Sequence, residues 1–306
     1  MTTLDRRSFL KRSLVPAVLA SLPVSVAAQA RGRRTPPLSG PEIVDTNVHL
    51  FDWPFRRLKY SSTPALVAKL RKHRIRQAWA GSFEAVLHKQ LDAVNRRLAE
   101  ECRTSGEGLL IPFGSVNPVW PDWDEDLRRC HEAYRMPGLR LYPAYHGYTL
   151  DRPEFARLLS LAVERGLVVQ IAIRMEDERV HHPALDAPLV DASPLPDVLK
   201  KVPRARVQLI NCDTALRGGH VPALIGETSA TFDIAGVEAN GGVGRLIEGT
   251  HPYYRMAVPV ERLLFGSHAP FFPCESALLK LFESPLSREQ LEPLMHANAG
   301  RLLEGV

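Results

Sequence analysis

The sequence predicts an α/β fold, a single-domain (β/α)₈ TIM barrel running from residue 42 to residue 306, and three observations carry that expectation. Short β-type runs alternate with amphipathic helical stretches eight times, the pattern of a parallel sheet with helices outside it. Nearly every β-type run ends on a polar side chain, as barrel strands do where they build a site. A chain of 306 residues, 45% hydrophobic and 24% charged, suits one barrel of ordinary soluble composition. An open doubly wound sheet is the runner-up.

The strand candidates are 42–51, 74–82, 109–117, 137–143, 167–174, 206–212, 230–238 and 262–268. In the first, Asp45, Asn47 and His49 recur at a spacing of two, so an extended strand presents all three from one face. Polar groups on a strand otherwise made for burial are costly without partners, which marks this stretch as a site. Between strands, residues 88–103 place Leu91, Val94, Leu98 and Cys102 on one helical face, and residues 153–165 do the same with Phe155, Leu158, Leu159 and Ala162. Gly166 falls where a helix C-terminal glycine belongs. The crossovers at 213–229 and 240–261 are less regular.

Ahead of the barrel, Asp5-Arg6-Arg7-Ser8-Phe9-Leu10-Lys11-Arg12 precedes an apolar segment from Leu14 to Ala28 and the small-x-small sequence Ala28-Gln29-Ala30. This pattern resembles a twin-arginine export signal over residues 1–30, which implies a periplasmic mature chain beginning near Arg31. Residues 31–41, rich in Arg, Pro and Gly, read as a linker. Without the four basic residues and one acidic residue of the signal, the net charge falls from +5 to +2, so general nucleic-acid affinity is not implied. No stretch of the mature chain is long and apolar enough for a stable membrane span. Cys102, Cys130, Cys212 and Cys274 are widely separated and form no Cys-x-x-Cys pair, so they read as isolated buried residues rather than disulfides.

The strand ends supply the candidate chemistry: Asn47 and His49, Ser82, Asn117, Arg140 and Tyr142, Gln170 and Arg174 with Glu176 beyond, Asn211, Glu238 and His268. Arg56, Arg57 and Lys59 occupy the loop after the first strand, on the same barrel face, and residues 56–76 hold eight Arg or Lys and no acid. Arg174 and Arg140 offer guanidinium forks to a carboxylate.

Five segments together resemble the amidohydrolase-related family of the amidohydrolase superfamily, the branch of metal-dependent barrel hydrolases and decarboxylases. They are Ile43-Val44-Asp45-Thr46-Asn47-Val48-His49, Val116-Asn117-Pro118, Gly138-Leu139-Arg140-Leu141-Tyr142-Pro143, Leu264-Phe265-Gly266-Ser267-His268-Ala269-Pro270-Phe271 and Asn298-Ala299-Gly300-Arg301-Leu302-Leu303. The resemblance implies a metal-binding Asp-x-His-x-His first strand, yet here Asn47 replaces the first histidine and only His49 remains. Ala172 and Arg174 stand at the fifth strand and Asn211 at the sixth, where the family ends on histidine, and His268 replaces the aspartate after the eighth.

Two readings of the site follow. In the preferred one the protein is metal-free: His49 and His268 carry proton transfer, Arg174 assists, and Asn47, Asn211, Arg140, Tyr142, Glu238 and Arg56 bind substrate. In the other, one zinc-like divalent ion is held by His49, His268 and Glu238 with Asn47 assisting. The expected activity is hydrolysis of a C–O or C–N bond in a small anionic or oxygenated molecule. A non-oxidative decarboxylase and a catalytically dead ligand-binding barrel are the alternatives. The only partner expected is a small-molecule substrate, and a homo-oligomer remains open.

Overall fold

The computed structural model describes residues 42–305 apart from 213–215, 217, 239 and 255. The export segment 1–30 and the linker 31–41 lie outside the described residues. Eight parallel strands pair in sequence order: β1 Ile43–Leu50, β2 Ile75–Ser82, β3 Leu110–Gly114, β4 Gly138–Leu141, β5 Val168–Ala172, β6 Arg206–Ile210, β7 Thr231–Asp233 and β8 Leu263–Leu264. The ring is drawn shut just beyond β8, where Thr46 N–H donates to Phe265 O at 2.9 Å and His49 N–H to Ala269 O at 2.8 Å. The predicted (β/α)₈ barrel is the observed one.

The helices are α1 Thr63–Lys72, α2 Leu91–Ser105, α3 Trp123–Glu132, α4 Pro143–His146, α5 Pro153–Glu164, α6 Leu195–Lys201, α7 His220–Glu227, α8 Gly242–Glu248, α9 Cys274–Glu283, α10 Arg288–Glu292 and α11 Asn298–Glu304. Their ends follow local chemistry. α3 carries Asp124, Glu125 and Asp126 in its first turn and Arg129 and His131 in its last, matching the helix dipole. α5 ends at Gly166 with φ 62°, where Gly166 N–H bonds Val163 O and Leu167 N–H bonds Ala162 O. Those paired bonds satisfy the last carbonyls in a Schellman arrangement, which needs the left-handed residue that glycine adopts without strain. None of the described helices is long and apolar enough to cross a membrane.

Two apolar layers hold the barrel. Ile43, Val48 and Leu50 of β1 join Leu66, Leu98 and Leu158 between sheet and helices, whereas Val44 packs with Trp79, Phe113, Val168 and Leu264 in a separate inner cluster. Trp79 and Phe113 stack there with ring centroids 4.8 Å apart. All four cysteines are buried, and none pairs with another in a disulfide.

Two details differ from the sequence reading, and both shape the site. Asp45 lies opposite Ala78 and Val48 opposite Ala80, so three steps along β1 face two along β2. This extra residue is a β-bulge, which breaks the period-two alternation, and the Asp45 carboxylate bonds to the Asn47 main-chain N–H at 3.1 Å rather than to the side chains of Asn47 and His49. Asp45 also accepts hydrogen bonds from Ser267 N–H and Oγ, at 2.9 and 2.5 Å, in the loop after β8. The strands are also shorter at their C-terminal ends than their composition suggests. Asn211 and His268 adopt left-handed backbone, φ 56° and 57°, so the chain leaves the sheet where apolar sequence continues.

Candidate active site

Arg140 on β4 is fully buried inside the barrel. All five of its N–H groups are used: Nε donates to Gln170 Oε1 at 2.8 Å, Nη1 to Val48 O at 2.6 Å and toward His49 Nε2 at 3.3 Å, and Nη2 to Thr46 O at 3.1 Å and Trp79 O at 2.9 Å. Burial lowers its pKa, and no carboxylate compensates it directly. Gly81 makes room for it, since a Cβ there would lie 2.7 Å from Arg140 Cδ and 2.9 Å from the Tyr142 hydroxyl. Around it, Gln170 Nε2 donates to Thr46 O and Gln208 Oε1, and Gln208 Nε2 donates to Thr46 Oγ1, each at 2.7 Å.

Above this layer Asn47, His49, Asn211, Asp233 and His268 converge, all buried. Asn47 Nδ2 donates to Asp233 Oδ2 at 2.6 Å and to Asn211 Oδ1 at 2.7 Å. Asp233 Oδ1 also accepts from Asn211 N–H at 2.9 Å. Asn211 Nδ2 donates to Arg174 O at 3.0 Å and points at His268 Nδ1 across 3.4 Å, while His268 Nε2–H donates to Met175 O at 2.9 Å. A carbonyl only accepts, so this partner fixes the His268 proton on Nε2.

His49 is set by the same logic. The guanidinium facing Nε2 can only donate, so that nitrogen accepts and the proton sits on Nδ1. His49 Nδ1 and Asn47 Oδ1 are both buried with no hydrogen-bond partner. One is a donor and the other an acceptor, and natural interiors rarely leave either orphaned.

Aromatic rings cover the cluster. His49 stacks on Phe83 at 4.6 Å between ring centroids and meets the edge of His268 at 5.1 Å, and His268 stacks on Phe271 at 4.8 Å. Buried Trp53 packs against Phe83 and Phe271, each at 5.3 Å. This enclosure pushes the His268 pKa down to about 3 and holds that of His49 well below its usual value, with Arg140 adding to both shifts. For Asp233, burial outweighs the hydrogen bonds from Asn47 and Asn211 and raises the pKa to about 6. The phenol of Tyr142 is likewise pushed up to about 12 by burial.

Beside the cover, a cavity of about 340 Å³ opens between α4 and the loop after β5, lined by Tyr145, Arg174, Met175, Glu176 and His181 among others. Met175, whose carbonyl holds His268, is therefore shared by cavity and cluster. Glu176 is almost fully covered, and its carboxyl turns toward the Trp53 indole N–H without closing a full hydrogen bond. Burial raises its pKa, with the charge of Arg56 opposing the shift.

The residues singled out from sequence thus separate. Asn47, His49, Asn211 and His268 come together, Arg174 lines the adjoining cavity, and Arg56 lies over the Phe271 ring at 4.4 Å. Tyr142 packs beside His49 at 6.3 Å, its hydroxyl directed at Ser82 O. Arg140 is committed to carbonyls inside the barrel and has no N–H left for a ligand. Glu238 is exposed in the loop after β7 and is not part of the cluster. The carboxylate of this strand is Asp233, which the sequence reading passed over because it placed the strand end five residues late. The continuing apolar run Ile234-Ala235-Gly236-Val237 hid the true end.

The donor set expected for a divalent ion is not assembled as the sequence predicts. Asn47 gives its amide hydrogens to Asp233 and Asn211, His49 Nε2 faces a fixed cation, and His268 Nε2 is held by Met175 O. The proposed set His49, His268, Glu238 and Asn47 lacks Glu238. Among the described residues, the three metal-competent donors within reach of one another are His73, Cys274 and Glu275, away from this cluster. There the Lys69 ammonium already pairs with Glu275.

A family model described as amidohydrolase matches residues 44–208, from β1 through β6 and more than half of the chain. No curated protein matches. Among solved structures, 5-carboxyvanillate decarboxylase from Sphingomonas paucimobilis superposes with TM-score 0.63 at 13% identity, over 87% of this chain and 99% of that one. 2,6-Dihydroxybenzoate decarboxylase from Rhizobium gives TM-score 0.62 at 13% identity, again over 87% and 99%. A 5-carboxyvanillate decarboxylase from Novosphingobium aromaticivorans, solved with bound manganese, gives 0.62 at 14% identity over 87% and 97%. At such identities the likeness is one of fold, whereas the matched sequence pattern runs from the first strand to the sixth, and the chain belongs to the amidohydrolase family.

Proposed function

We propose that the barrel mouth catalyses non-oxidative decarboxylation of a small hydroxylated aromatic carboxylic acid, without a metal ion. The observation that carries this reading is the pair of orphaned buried atoms beneath aromatic rings. Asn47 Oδ1 accepts and His49 Nδ1–H donates, the complement of a hydroxyl beside a carboxylate. The rings of Phe83, Phe271 and Trp53 suit a flat substrate, and Arg174 and Arg56 bring positive charge to its route.

The chemistry balances with the residues present. The bond between ring carbon and carboxylate breaks, carbon dioxide leaves, and the electron pair stays on the ring carbon, which takes a proton from His268 or His49. Burial favours the neutral form of both imidazoles, and a carboxylate bound beside them favours their protonated forms. Enclosure from water favours a step that disperses carboxylate charge. The decarboxylating fold relatives support this class over hydrolysis. Hydrolysis of a C–O or C–N bond is the second reading, favoured by Glu176, a covered carboxyl of raised pKa placed to activate water at the cavity.

The test is carbon dioxide release from hydroxybenzoates by the purified mature chain, run beside ester, lactone and amide hydrolysis. Decarboxylation abolished in His268→Ala and unaffected by chelator dialysis is expected. Hydrolytic turnover abolished by the same substitution would replace the first reading with the second, and binding without turnover would leave a ligand-binding barrel. Activity lost on chelation and restored by manganese or zinc would overturn the metal-free reading. The export pattern over residues 1–30 completes the proposal with a periplasmic working site, checked by an N-terminus near Arg31 on the chain recovered from periplasm.

A further inference from the structure

On the rim next to the mouth, the loop after β1 and the loop after β8 enclose a cleft of about 440 Å³. Its lining includes Arg56, Arg57, Lys59 and Lys69 against one carboxylate, Glu275. Lys69 and Glu275 pair with each other. Arg56, Arg57 and Lys59 form no ion pair among the described residues, and all three line this one cleft. Arg57 and Lys59, together with an Arg56 that also faces Glu176 and the Phe271 ring, concentrate positive charge in one concave space, and an anion among them offsets their mutual repulsion.

The walls add a second requirement. Tyr60, Phe271 and Phe272 face the cleft, with Lys59 and Lys69 ammonium groups 5.1 and 5.3 Å from the Tyr60 ring centroid. A cleft of this size with apolar walls and convergent donors matches a small organic molecule better than a bare ion. We propose that this cleft is a second ligand site, taking a small aromatic molecule that carries an oxyanion such as phosphate, sulfate or carboxylate. Phe271 separates it from the buried cluster, one ring touching Arg56 on the cleft side and His268 on the other. The assignment stands independently of the reaction proposed above, since binding here needs no turnover.

Calorimetric titration of the mature chain with inorganic phosphate and with phenyl phosphate, at ionic strength matched by sodium chloride, tests it. Phenyl phosphate is expected to bind at least threefold more tightly than inorganic phosphate. The double variant Arg57→Ala/Lys59→Ala, altered only at exposed side chains, is expected to weaken both at least tenfold, and Arg128→Ala to leave both unchanged. Equal affinity in the double variant and the parent would overturn the site, as would heat no greater than chloride alone produces. Equal affinity for the two phosphates would overturn its assignment to an aromatic ligand.

Discussion

Two polar layers sit one above the other in this barrel, and they treat their hydrogen bonds differently. In the lower layer Thr46, Arg140, Gln170 and Gln208 bond to one another and to main-chain carbonyls, and none leaves a buried polar atom without a partner. In the upper layer Asn47 Oδ1 and His49 Nδ1 are orphaned although their neighbours are closely bonded. A complete network costs nothing further to bury, whereas each orphan costs about 1–3 kcal/mol. Two orphans separated by one residue on β1, an acceptor and a donor, support the proposal that the upper layer binds a ligand, whereas the lower layer is bonded within itself.

Substitution at Arg140 tests the lower layer and carries the largest expected stability loss. Arg140→Ala removes the guanidinium donor from the carbonyls of Val48, Trp79 and Thr46, of which Thr46 O keeps Gln170 Nε2, and opens a cavity. The loss should reach about 3–5 kcal/mol in urea unfolding. Arg140→Lys should not restore it, because a single ammonium cannot span three carbonyls and a glutamine. A loss below about 1 kcal/mol would mean that the network does not hold the barrel.

His268→Ala tests the upper layer and should invert that pattern. Proton transfer by a placed imidazole is worth about 10²–10⁴ in rate, so kcat for the active substrate should fall by that amount. Stability should fall by about 1–3 kcal/mol, less than in Arg140→Ala, since one carbonyl, Met175 O, loses its donor and a smaller ring leaves its cavity. Initial rates and urea midpoints on one preparation decide this. A stability loss as large as that of Arg140→Ala would erase the distinction between the layers.

The pH dependence of stability separates the groups further. Burial lowers the pKa of His146 to about 4, below its unfolded value, so its contribution is complete above about pH 6.5 and disappears as pH falls toward 4. Asp233 has the opposite sign: its folded pKa of about 6 exceeds the unfolded value, so its contribution is complete below about pH 4 and is lost as pH rises through 6. His146→Gln should therefore lose about 1–3 kcal/mol less than the parent between pH 7.5 and 4.5, and Asp233→Asn should lose more than the parent. Urea midpoints at the two pH values measure both. Parallel acid losses in all three proteins would show that neither group is held as described.

The sequence made the barrel legible because strand and helix periods are set locally, by alternation and by faces of apolar residues. Four of the converging residues were legible for a related reason: Asn47, His49, Asn211 and His268 stand where the chain turns from apolar to polar. The bulge in β1 was not legible, because an extra residue shows only in the register with Ala78 and Ala80 of a different strand. The sequence points Arg140 at a substrate, whereas its guanidinium bonds main-chain carbonyls of β1 and β2, which no side-chain pattern announces. The orphaned atoms belong to tertiary geometry in the same way, since an orphan is defined by what fails to approach it.

The smallest expected effect closes the comparison at β7. Its chain offers two carboxylates five residues apart, Asp233 at the strand end and Glu238 in the loop beyond. Only Asp233 accepts from Asn47 and Asn211, while Glu238 is exposed, and an exposed carboxylate outside any network contributes little to fold or to chemistry. Glu238→Gln should leave stability within about 0.5 kcal/mol of the parent and kcat/KM unchanged, whatever substrate proves active. If the substitution removes turnover or any bound metal, the loop must fold inward over the mouth when ligand binds, and the division between a bonded cluster and an inert rim would have to be redrawn at this strand.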